Sequence, residues 1–411
     1  MIEDLYLLSQ SFLKNYSRPY KRYFLKRYTM DNRFSIIVGH RGVGKTTALI
    51  QYMLSECKNK TLTREVLYVQ ADHFIVGKQS LYDISEAFVK EGGKLICFDE
   101  IHKYPDWSRE LKSISDTFQQ IKIITSGSSA LEIHKGAHDL SRRAIIYRMF
   151  EMSFREFLEL SLNIKLESFK LEKILKKSQT ITETIIKKLE EKKSRVLPLF
   201  RRYLQHGYYP YFNDYKNIGL FYITLEQNLH RTVESDLLAV FPQLSGSSIN
   251  KIKKLISFIA KSVPFTPDLK KIKRLLEIGD ERTLKNYLKY LEDAGIILTV
   301  SKQGKGLRML EKPGKIYLNN PNLVYAIGDI ENINKGSLRE SFFANSLTGD
   351  YQVTIPDHGD FLVDGKYTFE VGGRSKDFKQ IRNLDNSYLA VDDIEFGTRS
   401  DIPLWLFGFL Y

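Results

Sequence analysis

The run Phe34-Ser-Ile-Ile-Val-Gly-His-Arg-Gly-Val-Gly-Lys-Thr-Thr47 constrains this chain more than any other. An apolar strand pattern stops at Gly39, a glycine-rich turn follows, and a helical pattern opens at Lys45. The spacing is Gly-x-x-x-x-Gly-Lys-Thr, set between a strand and a helix, the context in which it cradles phosphate. Gly39, Gly42 and Gly44 let the backbone curl and aim its N–H groups inward, where a Cβ would obstruct the approach. The helix start adds the positive end of its dipole. Lys45 is expected on the β- and γ-phosphates, and the Thr46 hydroxyl on Mg2+. The candidate phosphate-binding set is Gly39, Arg41, Gly42, Val43, Gly44, Lys45, Thr46 and Thr47. The chain is thus expected to bind a nucleoside triphosphate.

Three further strand patterns extend this reading. Val66–Gln70 is short and apolar, and Lys94-Leu-Ile-Cys-Phe-Asp-Glu100 ends in two acids about 55 residues beyond the glycine turn. In one parallel sheet the strand ends meet at the nucleotide. Asp99 would then hold Mg2+, and Glu100 would polarise the attacking water. A fourth strand, Lys122–Ser126, runs into Gly127-Ser-Ser129, where Ser126 and Ser128 are both candidates to sense the γ-phosphate. Arg143, in Leu140-Ser-Arg-Arg-Ala144 before a strand at Ile145–Arg148, is a candidate arginine finger; a surface arginine is the alternative.

At 411 residues the length suits two to four domains. A 43 % hydrophobic and 27 % charged composition is that of a globular protein. No apolar run approaches the roughly 20 residues of a membrane span, and Met1-Ile-Glu-Asp-Leu lacks a secretory start. Cys57 and Cys97 are the only cysteines, which argues against disulfides or a cysteine zinc site. A cytoplasmic protein without membrane contact is expected. The net charge of +13 resides in two islands, Lys14–Tyr28 with six basic residues and no acid, and Lys251–Lys289 with eleven basic and four acidic. Such islands fit a polyanion such as double-stranded DNA; solvated lysine-rich faces are the alternative.

The segments GHRGVGKTT, LICFDEIHKYPDWSRELKSISD, SGSSA, LSRRA and EMSFREFLEL resemble a large prokaryotic group of AAA-superfamily ATPases with a conserved C-terminal domain of unknown function. The resemblance continues through Tyr203–Pro210, KIYLNNPNLVYAIG and the final segment. It implies ATP as the nucleotide, Gly39, Gly44, Lys45 and Thr46 for phosphate and Mg2+, and Asp99 and Glu100 as the acidic pair. Arg143 falls where the group has the arginine of a Leu-small-Gly-Arg motif, with Arg142 in place of the glycine.

Beyond the nucleotide domain, Ile164–Arg195 reads as an amphipathic helix or helical pair, broken at Gln179–Thr182 and stopped by Pro198. The tyrosines of Tyr203–Phe212 suit packing at a domain junction. From Ile249 the order is three helices and two strands: Lys251–Lys261, Leu269–Leu276 and Asp280–Ala294, then Ile296–Val300 and Lys315–Leu318 around the basic loop Lys302–Gly306. That is the order of a winged helix. Arg282, Lys285 and Lys289 share a face of the third helix and, with Lys305 in the wing, are the candidate DNA contacts. Packing or protein contact is the alternative.

Glu340 on a helix, Asp360 before the strand Phe361–Val363 and Glu370 in the strand Tyr367–Val371 are candidate nuclease-site carboxylates. Their order resembles the restriction-endonuclease-like fold, as does the C-terminal domain of the related group. Gly372 stands where that signature has lysine, and Arg374 or Lys376 are the substitutes in reach. A recognition-only fold is expected, with a metal-dependent cut as the alternative. The expected architecture is an α/β AAA-like P-loop ATPase domain with a parallel sheet (1–155), a helical region (156–248), a winged-helix domain (249–333) and an α/β restriction-endonuclease-like domain (334–411). The expected function is an ATP-hydrolysing switch coupled to DNA; a regulatory ATPase with a protein partner and an ATP-linked nuclease are the alternatives. Oligomers are compatible with all three.

Overall fold

Five short apolar runs become the strands β1 Phe34–Val38, β2 Val66–Gln70, β3 Leu95–Asp99, β4 Lys122–Gly127 and β5 Ile145–Arg148. The computed structural model describes residues 2–57, 64–127, 140, 142–261, 268–302, 314–328, 331, 333–376, 379–398 and 400–411. The chain divides into two compact units, Met1–Glu151 and Met152–Tyr411. The expected segments 156–248, 249–333 and 334–411 therefore fall in one unit.

In the first unit the sheet order is β2-β3-β4-β1-β5, parallel throughout. Helices α1 Ile2–Tyr16, α2 Tyr23–Arg27, α3 Lys45–Glu56, α4 Leu81–Lys90 and α5 Trp107–Thr117 accompany it. Every residue of β1 and β3 is buried, which explains why these strands read as continuous apolar runs rather than alternating ones. Ile36, Val38, Ile96, Phe98 and Ile123 pack with Phe88 and Leu111 in one core, each buried side chain contributing about 1.5–3 kcal/mol. Because β4 lies between β1 and β3, Val38, Asp99 and Gly127 end their strands along the same edge. That edge carries the candidate site.

The first basic island is not wholly a surface. Arg22 is only 4 % exposed, and its guanidinium donates to the carbonyls of Val43 (2.6 Å) and Phe150 (3.0 Å).

The second unit opens with α6 Phe154–Leu162, whose N-cap Ser153 and Glu156 form a reciprocal capping box. It continues through α7 Leu171–Glu190, α8 Val196–His206 and α9 Ile218–Arg231, the last extended by a π turn at Thr232–Asp236. The helix α7 is kinked at Lys177 (φ −133°), not at the expected 179–182. Pro198 does not stop a helix either; it sits in the first turn of α8, where its missing N–H has no intrahelical partner to lose. Tyr203 and Tyr208 are buried and stacked 4.5 Å apart inside this unit.

Three helices follow, α10 Gly246–Lys261, α11 Leu269–Leu275 and α12 Glu281–Asp293, then the antiparallel pair β6 Ile297–Val300 and β7 Lys315–Leu318. Asp280 caps α12 through the Thr283 amide at 2.8 Å. After α13 Pro321–Ile327 and α14 Lys335–Leu347 comes a second sheet, built from β8 Val353–Thr354, β9 Phe361–Val363, β10 Tyr367–Gly372, β11 Ser387–Val391 and β12 Asp401–Pro403. Its order is β12-β11-β10-β9-β8, parallel from β10 to β12 and antiparallel from β8 to β10. Phe343 of α14 packs among the rings of Phe361, Phe369 and Phe407. Among the described residues no helix is long and apolar enough to cross a membrane.

Candidate functional site

Between the end of β1 and the start of α3 the loop Gly39–Gly44 turns back through Gly42 (φ 86°) and Gly44 (φ 98°), a left-handed backbone that strains any residue with a Cβ. The Lys45 ammonium lies across this loop, donating to the carbonyls of Gly39 (2.8 Å) and His40 (2.9 Å). Val43 is fully buried, and Arg22 braces its backbone at the carbonyl. Gly39 is required by packing: a Cβ there would lie 2.3 Å from the Met149 carbonyl oxygen. His40 pairs through Nδ1 with buried Glu151. Burial pushes the Glu151 carboxyl up, and the His40 charge and hydrogen bond outweigh it and hold the group below its ordinary value.

Asp99, at the end of β3, gathers the other half of the site. The Thr46 hydroxyl donates to its Oδ2 at 2.7 Å, the Tyr68 hydroxyl donates to the same oxygen at 2.7 Å, and Ser126 of β4 bonds Oδ1. The hydroxyl–carboxylate pair of Thr46 and Asp99 is a set of hard oxygen donors, which suits Mg2+. Burial first, and then the Asp99 charge, pushes the Tyr68 hydroxyl far above its ordinary value, so it stays a donor.

Glu100 sits in a left-handed conformation (φ 53°), with Lys103 at 3.3 Å and His102 at 3.8 Å. Burial raises its carboxyl, and the charges of Lys45, His102, Lys103 and Arg41 outweigh it and hold the group below the ordinary carboxylate value. It is therefore an ionised carboxylate at neutral pH. Of the two serine candidates, Ser126 reaches Asp99, while Ser128 lies outside the described residues.

Arg143 is placed elsewhere. It precedes β5, whose Ile145 pairs with Ser35 at the start of β1, so it lies at the edge where strands begin, opposite the loop. There it makes a bidentate pair with Asp116 at 2.6 and 2.9 Å. Within its own chain Arg143 is a surface ion pair and not a finger for this loop.

In the second unit the three carboxylates do converge. The Lys315 ammonium lies 2.9 Å from Glu340 and 3.2 Å from Asp360, and that of Lys376 lies 3.2 Å from Glu370 and 3.7 Å from Asp360. Lysine is thus present beside the carboxylates although Gly372 lacks it. Among the described residues no group of three or more His, Cys, Asp or Glu side chains is arranged to hold a metal ion.

On α12 the basic face is not free. Lys285 pairs with Glu281 (3.3 Å) and Lys289 with Asp293 (2.7 Å), while Arg282 is exposed. Lys305 lies outside the described residues.

Residues 31–158 match the family model described as an AAA domain, AAA_14. The parallel sheet and glycine loop of the first unit fit a P-loop ATPase fold. Residues 197–334 match a domain of unknown function, DUF8612. Over 321 residues the chain is 28 % identical to the uncharacterized protein MJ1637 of Methanocaldococcus jannaschii, covering 74 % of this chain and 66 % of that protein. Among solved structures, the Walker-type ATPase PABY2304 of Pyrococcus abyssi is 13 % identical with a TM-score of 0.38, over 74 % of this chain and 93 % of that one. AMPPCP-bound DnaA from Aquifex aeolicus is 16 % identical with a TM-score of 0.23, over 71 % of this chain and 87 % of that one. The AAA-type match coincides with the loop and acidic strand end described above.

Sequence reasoning named Lys45, Thr46, Asp99 and Glu100, and it missed Tyr68, Arg22 and the His40–Glu151 pair. Tyr68, Arg22 and Glu151 each reach the loop or Asp99 from a distant stretch of chain, and nothing in their own neighbourhoods signals the contact; His40 lies in the loop, but its partner does not.

Proposed function

We propose that this chain is an ATP-hydrolysing molecular switch of the AAA type. The observation that carries the reading is the triple hold on Asp99 by Thr46, Tyr68 and Ser126 beside the glycine loop. Lys45 and the loop amides would hold the phosphates, and Thr46 and Asp99 would hold Mg2+, which supplies charge neutralisation at the transferring phosphoryl group. Glu100, kept ionised by its cationic neighbours, orients and deprotonates water. Ser126 links the phosphate end of β4 to Asp99.

The reading extends to a cytoplasmic protein whose α10–α12 and β6–β7 region, in the order of a winged helix, meets double-stranded DNA through Arg282, Lys285, Lys289 and Lys305. A partner protein is the second reading. The acidic partners of Lys285 and Lys289 favour it, as do the exposed Ile218, Leu220 and Ile223 of α9 (40 %, 52 % and 52 %). The test is ATP turnover by the wild type and Glu100→Gln, with and without duplex DNA. Turnover abolished in Glu100→Gln and stimulated by DNA supports the full reading. Turnover indifferent to DNA supports the partner protein, and none in the wild type overturns the ATPase.

A further inference from the structure

Glu340 on α14, Asp360 before β9 and Glu370 on β10 bring three carboxylates to one place in the second unit. Each of two ammonium groups bridges a pair of them: Lys315 joins Glu340 to Asp360, and Lys376 joins Asp360 to Glu370. Bridging neighbouring carboxylates is what a divalent cation does in such a cluster. The separations of 2.9 to 3.7 Å are those of ammonium–carboxylate contacts, longer than the roughly 2.0–2.6 Å of magnesium– or calcium–oxygen bonds.

Among the described residues two lysines face three carboxylates, and one carboxylate oxygen is left without a partner. The residue that carries it is identifiable. Glu370 is 2 % exposed, its Oε1 faces Lys376, and its Oε2 is buried with no hydrogen-bond partner among the described residues. An unsatisfied buried carboxylate oxygen is costly and marks a place for a cation. By contrast Glu340 takes the Tyr317 hydroxyl at 2.6 Å and Asp360 takes the Val371 amide at 3.0 Å.

The backbone is built around this filling. A Cβ on Gly372 would lie 2.6 Å from the Lys376 Cβ, so glycine is what lets Lys376 fold back over the strand. The other cation in reach, Arg374, turns away to the Asp393 carbonyl at 2.6 Å. Burial alone would lower the Lys315 ammonium, and the charges of Glu340 and Asp360 outweigh it and raise it above the ordinary lysine value.

We infer that Lys315 and Lys376 stand in for a divalent cation in the Glu340–Asp360–Glu370 cluster, which takes a metal ion only when one of the two lysines is removed. The inference rests on the second unit alone and is independent of the nucleotide reading. Mn2+ titration of the full chain without nucleotide, followed by electron paramagnetic resonance, tests it. The wild type and Asp360→Asn should bind Mn2+ alike. Lys315→Met and Lys376→Met should each take up one further Mn2+ at least tenfold more tightly than wild type, lost again when Asp360→Asn is added. Lys376 is one-third exposed, so its variant decides the matter if Lys315→Met fails to fold. Wild-type Mn2+ binding that Asp360→Asn removes overturns the inference, as does a Mn2+-dependent cut of duplex DNA that the same variant abolishes. Folded lysine variants that gain no ion overturn it equally.

Discussion

At Asp99 three hydroxyls converge on one carboxylate, and the contribution of each is separable because they come from different elements. Tyr68 touches no part of the glycine loop in its bond to Oδ2, so its loss should loosen Asp99 without disturbing phosphate binding. A hydrogen bond to a charged group is worth about 1.5–3 kcal/mol. Tyr68→Phe is therefore expected to lower ATP turnover by about ten- to a hundredfold while leaving the affinity for a fluorescent ATP analogue within about twofold. Equal losses in both would mean that Tyr68 merely supports the fold.

His102 sets a second expectation. Burial first, with help from Lys103, Lys45 and Arg41, pushes its imidazole down to about 4. An unfolded histidine titrates near 6.5, so between those values the unfolded chain binds the extra proton and stability falls as pH falls. Glu100 has the opposite shift: its lowered carboxyl contributes stability that is lost only below the ordinary carboxylate range. From pH 7 to pH 5 His102 therefore removes about 2 kcal/mol, and His206, which burial likewise pushes down to about 4, adds a loss of its own. Urea unfolding at the two pH values should show that loss, and His102→Asn should reduce it. Lys45, Thr46 and Asp99 were legible because their chemistry is carried by local spacing. Tyr68 was not, since its partner lies 31 residues away and a buried tyrosine in a strand reads as core.

Among the elements, the strands, the helix α3 and the cap of α12 follow the sequence closely because apolar runs, the glycine turn and Asp280 are local signals. The kink of α7 at Lys177 has no such signal, and Pro198 was misread because a proline that stops one helix and a proline that starts another look alike in sequence. Of the two substitutes the sequence offers for the lysine absent at position 372, a turn brings in Lys376, whose amide donates to the Gly373 carbonyl at 3.0 Å. Gly39 yields an expectation at this scale, since it joins β1 to the segment after β5. If its only duty were to admit phosphate, Gly39→Ala would weaken ATP binding and leave stability alone. The 2.3 Å approach to the Met149 carbonyl demands a backbone shift instead. Overpacking of that kind costs about 1–3 kcal/mol. Differential scanning calorimetry without nucleotide should show the melting temperature lowered by several degrees, and an unchanged melt would return Gly39 to phosphate binding alone.

For the whole molecule, net charge alone does not name a partner. The +13 is real, yet Arg22 is spent on the loop and Lys285 and Lys289 meet acids one turn away. Counting charges along the chain does not reveal which of them a polyanion would meet. What defines a switch is instead that one ligand changes the stability of both units. A ligand that binds only the folded first unit stabilises it by about 2.7 kcal/mol at a hundred times its dissociation constant. If ATP state is transmitted, amide exchange in residues 152–411 must slow or quicken as well, because coupling between sites is reciprocal in free energy. Hydrogen exchange with and without ATP and Mg2+, read separately over residues 2–151 and 152–411, measures both effects at once. We expect protection at 39–46 and at Asp99–Glu100, together with a change in α12 or β7, and both should vanish in Lys45→Ala. Protection confined to the first unit would leave the ATPase standing and remove the switch, because energy would then be released with nothing in the second unit to receive it.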